Sequence, residues 1–246
     1  MRIALLADIH ANREAFEACL DDIARRDVDR LVLLGDLVGY GADPAWVVAK
    51  ARALLSQGAV ILRGNHDEAT AFARGGMTAD AAAAIAWTRH AVSAEDAAFL
   101  GALPMEVEED DRLYVHADAS APDRWIYVRD ADDARRSLEA CTARLIFCGH
   151  VHAPALYGLT ATAKLVPFKP VTGVSVPLPR PRRWLAVCGA VGQPRDGDPA
   201  AAWHLFDVIS GEITLHRVPY DVATASDKVR QAGLPESLAT RLLRGR

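Results

Sequence analysis

Short apolar runs and helical spacings alternate along the first sixty or so positions. Ile3 to Ala7 is an apolar run ended by Asp8, and beyond a polar loop Phe16, Leu20 and Ile23 recur at the spacing of one helix face. Arg30 to Leu34 is a second apolar run. Pro44 suits the first turn of another helix, with Val47, Val48, Ala51, Leu54 and Leu55 predicted to face inward, and Val60 to Leu62 follows as a third strand. Strands alternating with helices imply a parallel sheet at this end of the chain.

The pattern then changes. Thr78 to Leu100 reads as two Ala-rich helices, the second opened by Ser93 with Asp96 three residues on, as in a capping box. Met105 to Val107 and Leu113 to Val115 read as strands flanking the acidic turn Glu108 to Asp111. Further strands are expected at Leu145 to Cys148, Leu185 to Val187, Trp203 to Phe206 and Glu212 to His216. The Pro-rich, basic segment Lys164 to Arg183 reads as a long loop or irregular hairpin, and Val222 to Arg244 as helical with a break at Gly233-Leu234-Pro235. With no internal repeat and no linker, the expectation is one α/β domain over residues 1–246, built from two sheets.

Composition narrows the classes. At 51% hydrophobic and 24% charged, the chain has ordinary globular values, which disfavours a disordered, collagenous or coiled-coil protein. Lys+Arg is 28 against Asp+Glu 32, a net charge of −4, so bulk electrostatics gives no reason to bind nucleic acid or an anionic membrane. The N-terminal apolar stretch is cut by a charge too early for a secretory signal, and no uncharged run is long enough for a membrane span. Cys19, Cys141, Cys148 and Cys188 are scattered, fitting buried thiols in a reducing cytoplasm better than a disulfide framework or a zinc knuckle. The oligomeric state is left open.

Five of the eight histidines lie in short polar clusters, each following a predicted strand. The clusters are Asp8-Ile9-His10, Gly35-Asp36, Gly64-Asn65-His66-Asp67, His116 and Gly149-His150-Val151-His152. Ligands collect beyond the carboxyl ends of strands in open α/β sheets, so clusters spread over most of the chain can converge in space. Imidazole, carboxylate and amide without thiolate suit manganese, iron, zinc or nickel better than magnesium or calcium. On an extended segment, residues at i and i+2 share a face, so Asp8 with His10 and His150 with His152 can each serve one pocket. The chain has only two asparagines, Asn12 and Asn65, and both sit in these loops. Any one cluster alone also fits an ordinary turn or cap, but all five in this order, each after a strand, point to one site. No P-loop or HExxH stands in the chain, and Gly39-Tyr40-Gly41 lacks the third glycine of a dinucleotide fingerprint, having Pro44 there.

This series, DxH, GDxx, GNHD, a lone His and GHxH, resembles the calcineurin-like metallophosphoesterase superfamily across nearly the whole chain. The runs Asp36-Leu37-Val38-Gly39-Tyr40-Gly41, Gly192 to Pro199 and Ala232-Gly233-Leu234-Pro235 resemble a bacterial branch described as diadenosine-tetraphosphatase-like. The sequence departs from that branch where Val187-Cys188-Gly189-Ala190 replaces Asn-Pro-Gly-Ser, and where His116 stands in Val115-His116-Ala117 rather than Ser-His-Gly. The resemblance implies an α/β fold, a four-layer α/β/β/α sandwich with two mixed sheets and a dinuclear metal site at the strand ends. It implies that Asp8, His10, Asp36 and His152 hold one metal, that Asp36, Asn65, His116 and His150 hold the other, and that Asp36 bridges them. His66, oriented by Asp67, would lie just outside the metals and donate to substrate phosphate or protonate the leaving oxygen. Asn12 and Arg63 are candidate phosphate contacts.

The function expected from these residues is a cytoplasmic, metal-dependent phosphoesterase. It would hydrolyse a phosphodiester, a nucleotide polyphosphate or a phosphomonoester with water activated by two divalent transition metals, manganese first and iron, zinc or nickel as alternatives. Its partner would be a small phosphorylated substrate, a nucleotide among the candidates. The alternative is a non-catalytic sensor or binder that uses the same pocket for a phosphorylated ligand. The basic loop with Lys164, Lys169, Arg180, Arg182 and Arg183 offers either a second phosphate contact or a solvated surface.

Overall fold

Twelve strands and eight α-helices organise residues 1–246, all of which are described in a computed structural model. The first sheet is built from β1 (Arg2–Leu6), β2 (Arg30–Leu33), β3 (Val60–Ile61), β9 (Ser175–Pro177), β11 (Ala201–Asp207) and β12 (Glu212–Val218), in the order β3-β2-β1-β11-β12-β9. The second contains β4 (Glu106–Glu109), β5 (Arg112–Val115), β6 (Leu145–Cys148), β7 (Ala155–Leu159), β8 (Leu165–Phe168) and β10 (Arg183–Val187), in the order β4-β5-β6-β10-β7-β8. Both are mixed: β1, β2 and β3 run parallel while β11 pairs antiparallel with β1, and β5, β6 and β10 run parallel between antiparallel edges.

Strand alternation sorts the core into layers. Ile3 and Leu5 of β1 pack between the sheets with Val32, Tyr114, Phe147 and Phe206, whereas Ala4 and Leu6 face the opposite way, toward Phe16, Val47, Val48 and Leu54. Those last residues lie on α1 (Arg13–Ala24) and α2 (Pro44–Ser56), which cover the first sheet. Leu113, Ile146 and Leu185 turn outward from the second sheet onto Ala134 and Leu138 of α6 (Ala131–Glu139). The stack is therefore α/β/β/α, as expected. A fourth apolar cluster joins Ala81 and Ala84 of α4 (Ala79–Ala91) to α7 (Val222–Gln231) and α8 (Glu236–Arg244), and closes over Tyr40.

Several local expectations need correction. Leu55 is 43% exposed, because it falls off the buried stripe that Val47, Val48, Ala51 and Leu54 form on α2. The basic segment is neither loop nor hairpin: its β8 and β9 are edge strands of different sheets, and Arg183 opens β10. Glu108 and Glu109 belong to β4, paired with Leu113 and Arg112, so the acidic turn shrinks to Asp110-Asp111. Two helices and a strand were not expected: α3 (Asn65–Phe72), α6 and β7. α6 buries only Ala134, Ser137 and Leu138, too thin an apolar stripe to show in the sequence. The two Ala-rich helices are present as α4 and α5 (Ala94–Ala102), the latter with its Ser93–Asp96 capping box. No helix is long and apolar enough to cross a membrane.

His204 on β11 points into the same face as Phe206, is 1% exposed, and finds no partner for either ring nitrogen. Burial, reinforced by Arg217 and His216, pushes its pKa down to about 3. An unfolded histidine titrates near 6.5, so below that pH the unfolded chain binds a proton the folded chain refuses. This group's share of stability is complete above pH 6.5 and is lost as pH falls toward 3. His204→Leu should therefore lose about 2 kcal/mol less unfolding free energy than the parent between pH 7 and pH 5, measured by urea denaturation. An unchanged acid dependence in the variant would contradict this role.

Candidate metal centre

The site sits where strands end and backbone turns sharply. Seven of the eleven non-glycine residues with positive φ are Asp8, His10, Ala11, Asp36, Tyr40, His150 and His152. Left-handed backbone at non-glycine residues costs free energy and persists where surrounding structure enforces it, often at functional sites. Here the loops are locked by backbone hydrogen bonds: Asp8 donates to Gly35 O, His10 to Asp36 O, Gly192 to Asp8 O and Arg195 to His152 O. The i, i+2 pairs are therefore not extended segments, and His150 and His152 divide between two groups instead of sharing one.

Asp8, His10, Asp36 and His152 place ligand atoms within 4.8 Å of one another, and Asp36, His116 and His150 form a second such group. All are essentially buried. Asn65, the first residue of α3, brings its Oδ1 to 3.3 Å from His116 Nε2 and so joins the second group.

Each ring is oriented by a main-chain carbonyl. His10 Nδ1 donates to Val38 O (3.2 Å), His116 Nδ1 to Leu34 O (2.7 Å), His152 Nδ1 to Gln193 O (2.7 Å) and His150 Nε2 to Trp125 O (3.0 Å). A carbonyl can only accept, so these nitrogens carry the protons and the other nitrogen of each ring is turned to the cluster. Those free nitrogens meet in pairs, His10 Nε2 with His152 Nε2 at 3.1 Å and His116 Nε2 with His150 Nδ1 at 3.2 Å. Two lone pairs facing at this distance call for positive charge between them.

Charge balance says the same. Burial pushes His10 and His152 well below their ordinary pKa, so protons do not fill that role there. At the second group, burial also works against the imidazolium, but contact with Asp36 (Nε2 to Oδ2, 3.4 Å) and the nearby Asp8 carry His116 up to about 9. Burial lifts Asp8 to about 7, whereas Asp36 is held well below the carboxylate range because His116 and His66 outweigh its burial. Two buried carboxylates, four imidazoles and an amide, all oriented and without thiolate, fit a pair of divalent cations of the manganese, iron, zinc or nickel kind.

Two glycines make the approach possible. A Cβ on Gly64 would lie 2.2 Å from Asp36 Oδ1, and one on Gly39, at φ +85°, would lie 2.3 Å from His66 Nδ1. His66 packs against Tyr40 (centroids 4.4 Å) and His10 (4.8 Å), its backbone N–H donating to Asp36 Oδ1 at 2.8 Å. Burial pushes it down to about 4, Asp36 opposing, so it is a neutral imidazole near neutral pH.

Three sequence assignments change. Asp67 does not reach the His66 ring: its oxygens accept from Leu37 N (2.9 Å), Val38 N (3.2 Å) and Gly64 N (2.9 Å), tying the Asp36 loop to the start of α3. Asn12 caps α1 by accepting from Ala15 N and donates to Gly192 O and Tyr220 Oη, leaving nothing for phosphate. Arg63 turns away from the site, donating to Gly101 O at 2.6 Å and to Met105 Sδ. In the basic segment, Arg183 at the start of β10 donates to Cys141 O and Ala143 O. Three of the four cysteines are buried with their thiols pushed up by that burial, and no cysteine stands in either ligand group.

Residues the sequence reading passed over line the site's mouth. Tyr127 stacks on His150 (4.0 Å, 20°), Trp125 meets His116 edge-on at 5.8 Å, and Tyr40 lies beside both His10 and His66. Trp125 acts through its backbone carbonyl, for which a side-chain motif gives no signal. Tyr40 stood within the Gly39-Tyr40-Gly41 run and could have been singled out as the aromatic beside GDxx.

A family model described as the calcineurin-like phosphoesterase superfamily domain matches residues 1–210, which leaves β12 and the C-terminal helices α7 and α8 outside it. An uncharacterized protein of Methanocaldococcus jannaschii is 34% identical over 255 residues, spanning 99% of this chain and 98% of that protein. The crystal structure of a metallophosphoesterase from Sphaerobacter thermophilus is 37% identical, with a TM-score of 0.87 over 100% of this chain and 99% of that one. A hypothetical protein from Pyrococcus horikoshii OT3 is similar in fold alone, at 18% identity and a TM-score of 0.81 over 100% of this chain and 98% of that one. With the family model matched over most of its length and a buried double cluster at its strand ends, the chain belongs to the calcineurin-like phosphoesterase superfamily.

Proposed function

We propose that the protein is a dinuclear-metal phosphoesterase that hydrolyses a small phosphorylated substrate. The observation that carries the reading is the pair of cation-seeking groups sharing Asp36. Asp8, His10, Asp36 and His152 would hold one metal, and Asp36, Asn65, His116 and His150 the other. When bound, two such cations supply Lewis acidity that makes water nucleophilic at neutral pH and neutralises phosphoryl charge.

The chain's own residues supply position and proton. Backbone carbonyls fix the four ligand rings before substrate arrives, so little reorganisation remains for the reaction. His66 has Nδ1 buried against Gly39, which leaves Nε2 as its face to the adjoining cavity. From there a neutral imidazole donates its N–H to a phosphoryl or leaving oxygen. Asp67 acts through the backbone, holding the Asp36 loop and α3 together.

The cavity has a volume of about 550 Å³, and its lining includes Asn65, His66 and His150 with the aromatic rings of Tyr40, Trp125 and Tyr127 and the arginines Arg74, Arg124 and Arg129. Flat aromatic faces beside arginines suit a phosphorylated substrate with a planar apolar group, which makes a nucleotide the favoured class and agrees with the branch the sequence resembles. Manganese is the first metal to try, with iron, zinc or nickel as alternatives, since a mixed imidazole and carboxylate donor set admits all four.

Stripping metal should abolish hydrolysis of nitrophenyl phosphate mono- and diesters, and Mn²⁺ should restore it to the parent protein but not to Asp36→Asn. Failure of every divalent metal to restore turnover would leave the sensor reading. His66→Gln should keep its metal content while kcat falls about 10²- to 10⁴-fold; a large loss of metal in that variant would instead make His66 a ligand.

A further inference from the structure

The segment Gly192 to Pro199 runs directly behind the metal groups. Gly192 N donates to Asp8 O, Gln193 O accepts from His152 Nδ1, and Arg195 N donates to His152 O at 3.1 Å. Its far half is fixed as well: Asp196 pairs with Arg217, Arg217 also donates to Ala200 O, and Gly197 N donates to Gly245 O at the end of α8. A loop tied at both ends to structure presents its side chains in one place.

Arg195 is the residue so presented. Its Cζ lies 5.6 Å from the centre of the Tyr40 ring, which itself touches His10 and His66. Its Nη2 donates to Gln193 Oε1 (2.9 Å), its guanidinium also comes within reach of the Tyr40 hydroxyl, and its buried Nε has no partner. No carboxylate pairs with it, unlike Arg217 beside it. The charge is felt across the cluster, opposing protonation of His10, His66 and His152 and favouring ionised Asp8. An unneutralised guanidinium with spare donors, held beside a site built for cations, is unfavourable unless an anion completes it.

Other arginines near the site are less available. Arg63 is bound to Gly101 O, Arg74 to Glu68 at 2.7 Å, and Arg129 lies over Tyr127 at 4.0 Å, while Arg124 is exposed at the rim.

We propose that Arg195 is the phosphate-binding arginine of this site, donating to a phosphoryl oxygen of the substrate from the His152 side, across Tyr40 from His66. The assignment rests on the phosphoesterase reading for its catalytic consequence but not for its binding consequence. Arg195 holds the transferred group by charge-assisted hydrogen bonds, and Tyr40 keeps the guanidinium and the His66 ring apart. No bond is made or broken at Arg195.

The test reads binding and turnover separately. Calorimetric titration of the Mn²⁺-loaded protein with inorganic phosphate should give an affinity that falls at least 10-fold in Arg195→Ala and less in Arg195→Lys, with metal content unchanged in both. Turnover of a nitrophenyl phosphate ester should fall about 10²- to 10³-fold in Arg195→Ala and recover in part with added guanidinium. If the parent protein binds phosphate through Arg195 yet turns over no ester, the hydrolase reading fails while this assignment stands. If Arg195→Ala loses metal or thermal stability but binds phosphate as tightly as the parent at saturating Mn²⁺, Arg195 is a brace for the His152 loop and the assignment is overturned.

Discussion

The Asp36 carboxylate sits where three demands meet. Its Oδ2 lies 3.6 Å from His10 Nε2 and 3.4 Å from His116 Nε2, so it belongs to both ligand groups, while Oδ1 accepts the N–H that starts His66 into α3. A buried carboxylate in such a place is tolerable only with compensating positive charge. The rest of the site follows from supplying that charge in a fixed geometry. Gly64 lacks a side chain because Asp36 occupies the space, Asp67 clasps the loop on the other side, and the parallel run of β1, β2 and β3 delivers Asp8, Asp36 and Asn65 to one end of the first sheet.

His10 follows β1 as well, and the second sheet supplies His116, His150 and His152 from the ends of β5 and β6, which also run parallel. The candidate metal centre therefore straddles the two sheets, which pack against one another through Leu5, Tyr114, Phe147 and Phe206. Carbonyls of Leu34, Val38, Gln193 and Trp125 then choose the tautomer of every ligand histidine. The precision of the site is thus a property of main chain and packing more than of neighbouring side chains. The C-terminal helices lie outside the matched family region, yet they reach the site through Tyr40 and through the Gly245 contact to the Arg195 loop.

Much of this was legible because the chemistry-bearing residues follow apolar runs. Asp8, Asp36, Asn65, His116 and the His150/His152 pair each come after a strand visible as a short hydrophobic stretch, so their convergence could be expected before any coordinates. What stayed hidden was where side chains turn. Arg63 follows β3 more closely than Asn65 does, but its backbone is bonded to Pro104 O and its guanidinium goes to the end of α5. Asn12 is rare and well placed, yet a helix N-terminus, Gly192 and Tyr220 claim its whole amide. Asp67 adjoins His66 in sequence, but one helical turn points it back at the Asp36 loop. Arg195, more than 180 positions after Asp8, carried no spacing signal that tied it to the cluster, and neither α6 nor β8 and β9 had enough apolar periodicity to show.

The central claim is that two cations share Asp36. Anomalous diffraction from crystals of the Mn²⁺-loaded protein, recorded at the manganese edge, tests it directly. Two peaks should flank Asp36, about 3.5 to 4 Å apart, one toward His10 and His152 and the other toward His116 and His150. A single peak, or none within reach of Asp36, would contradict the account.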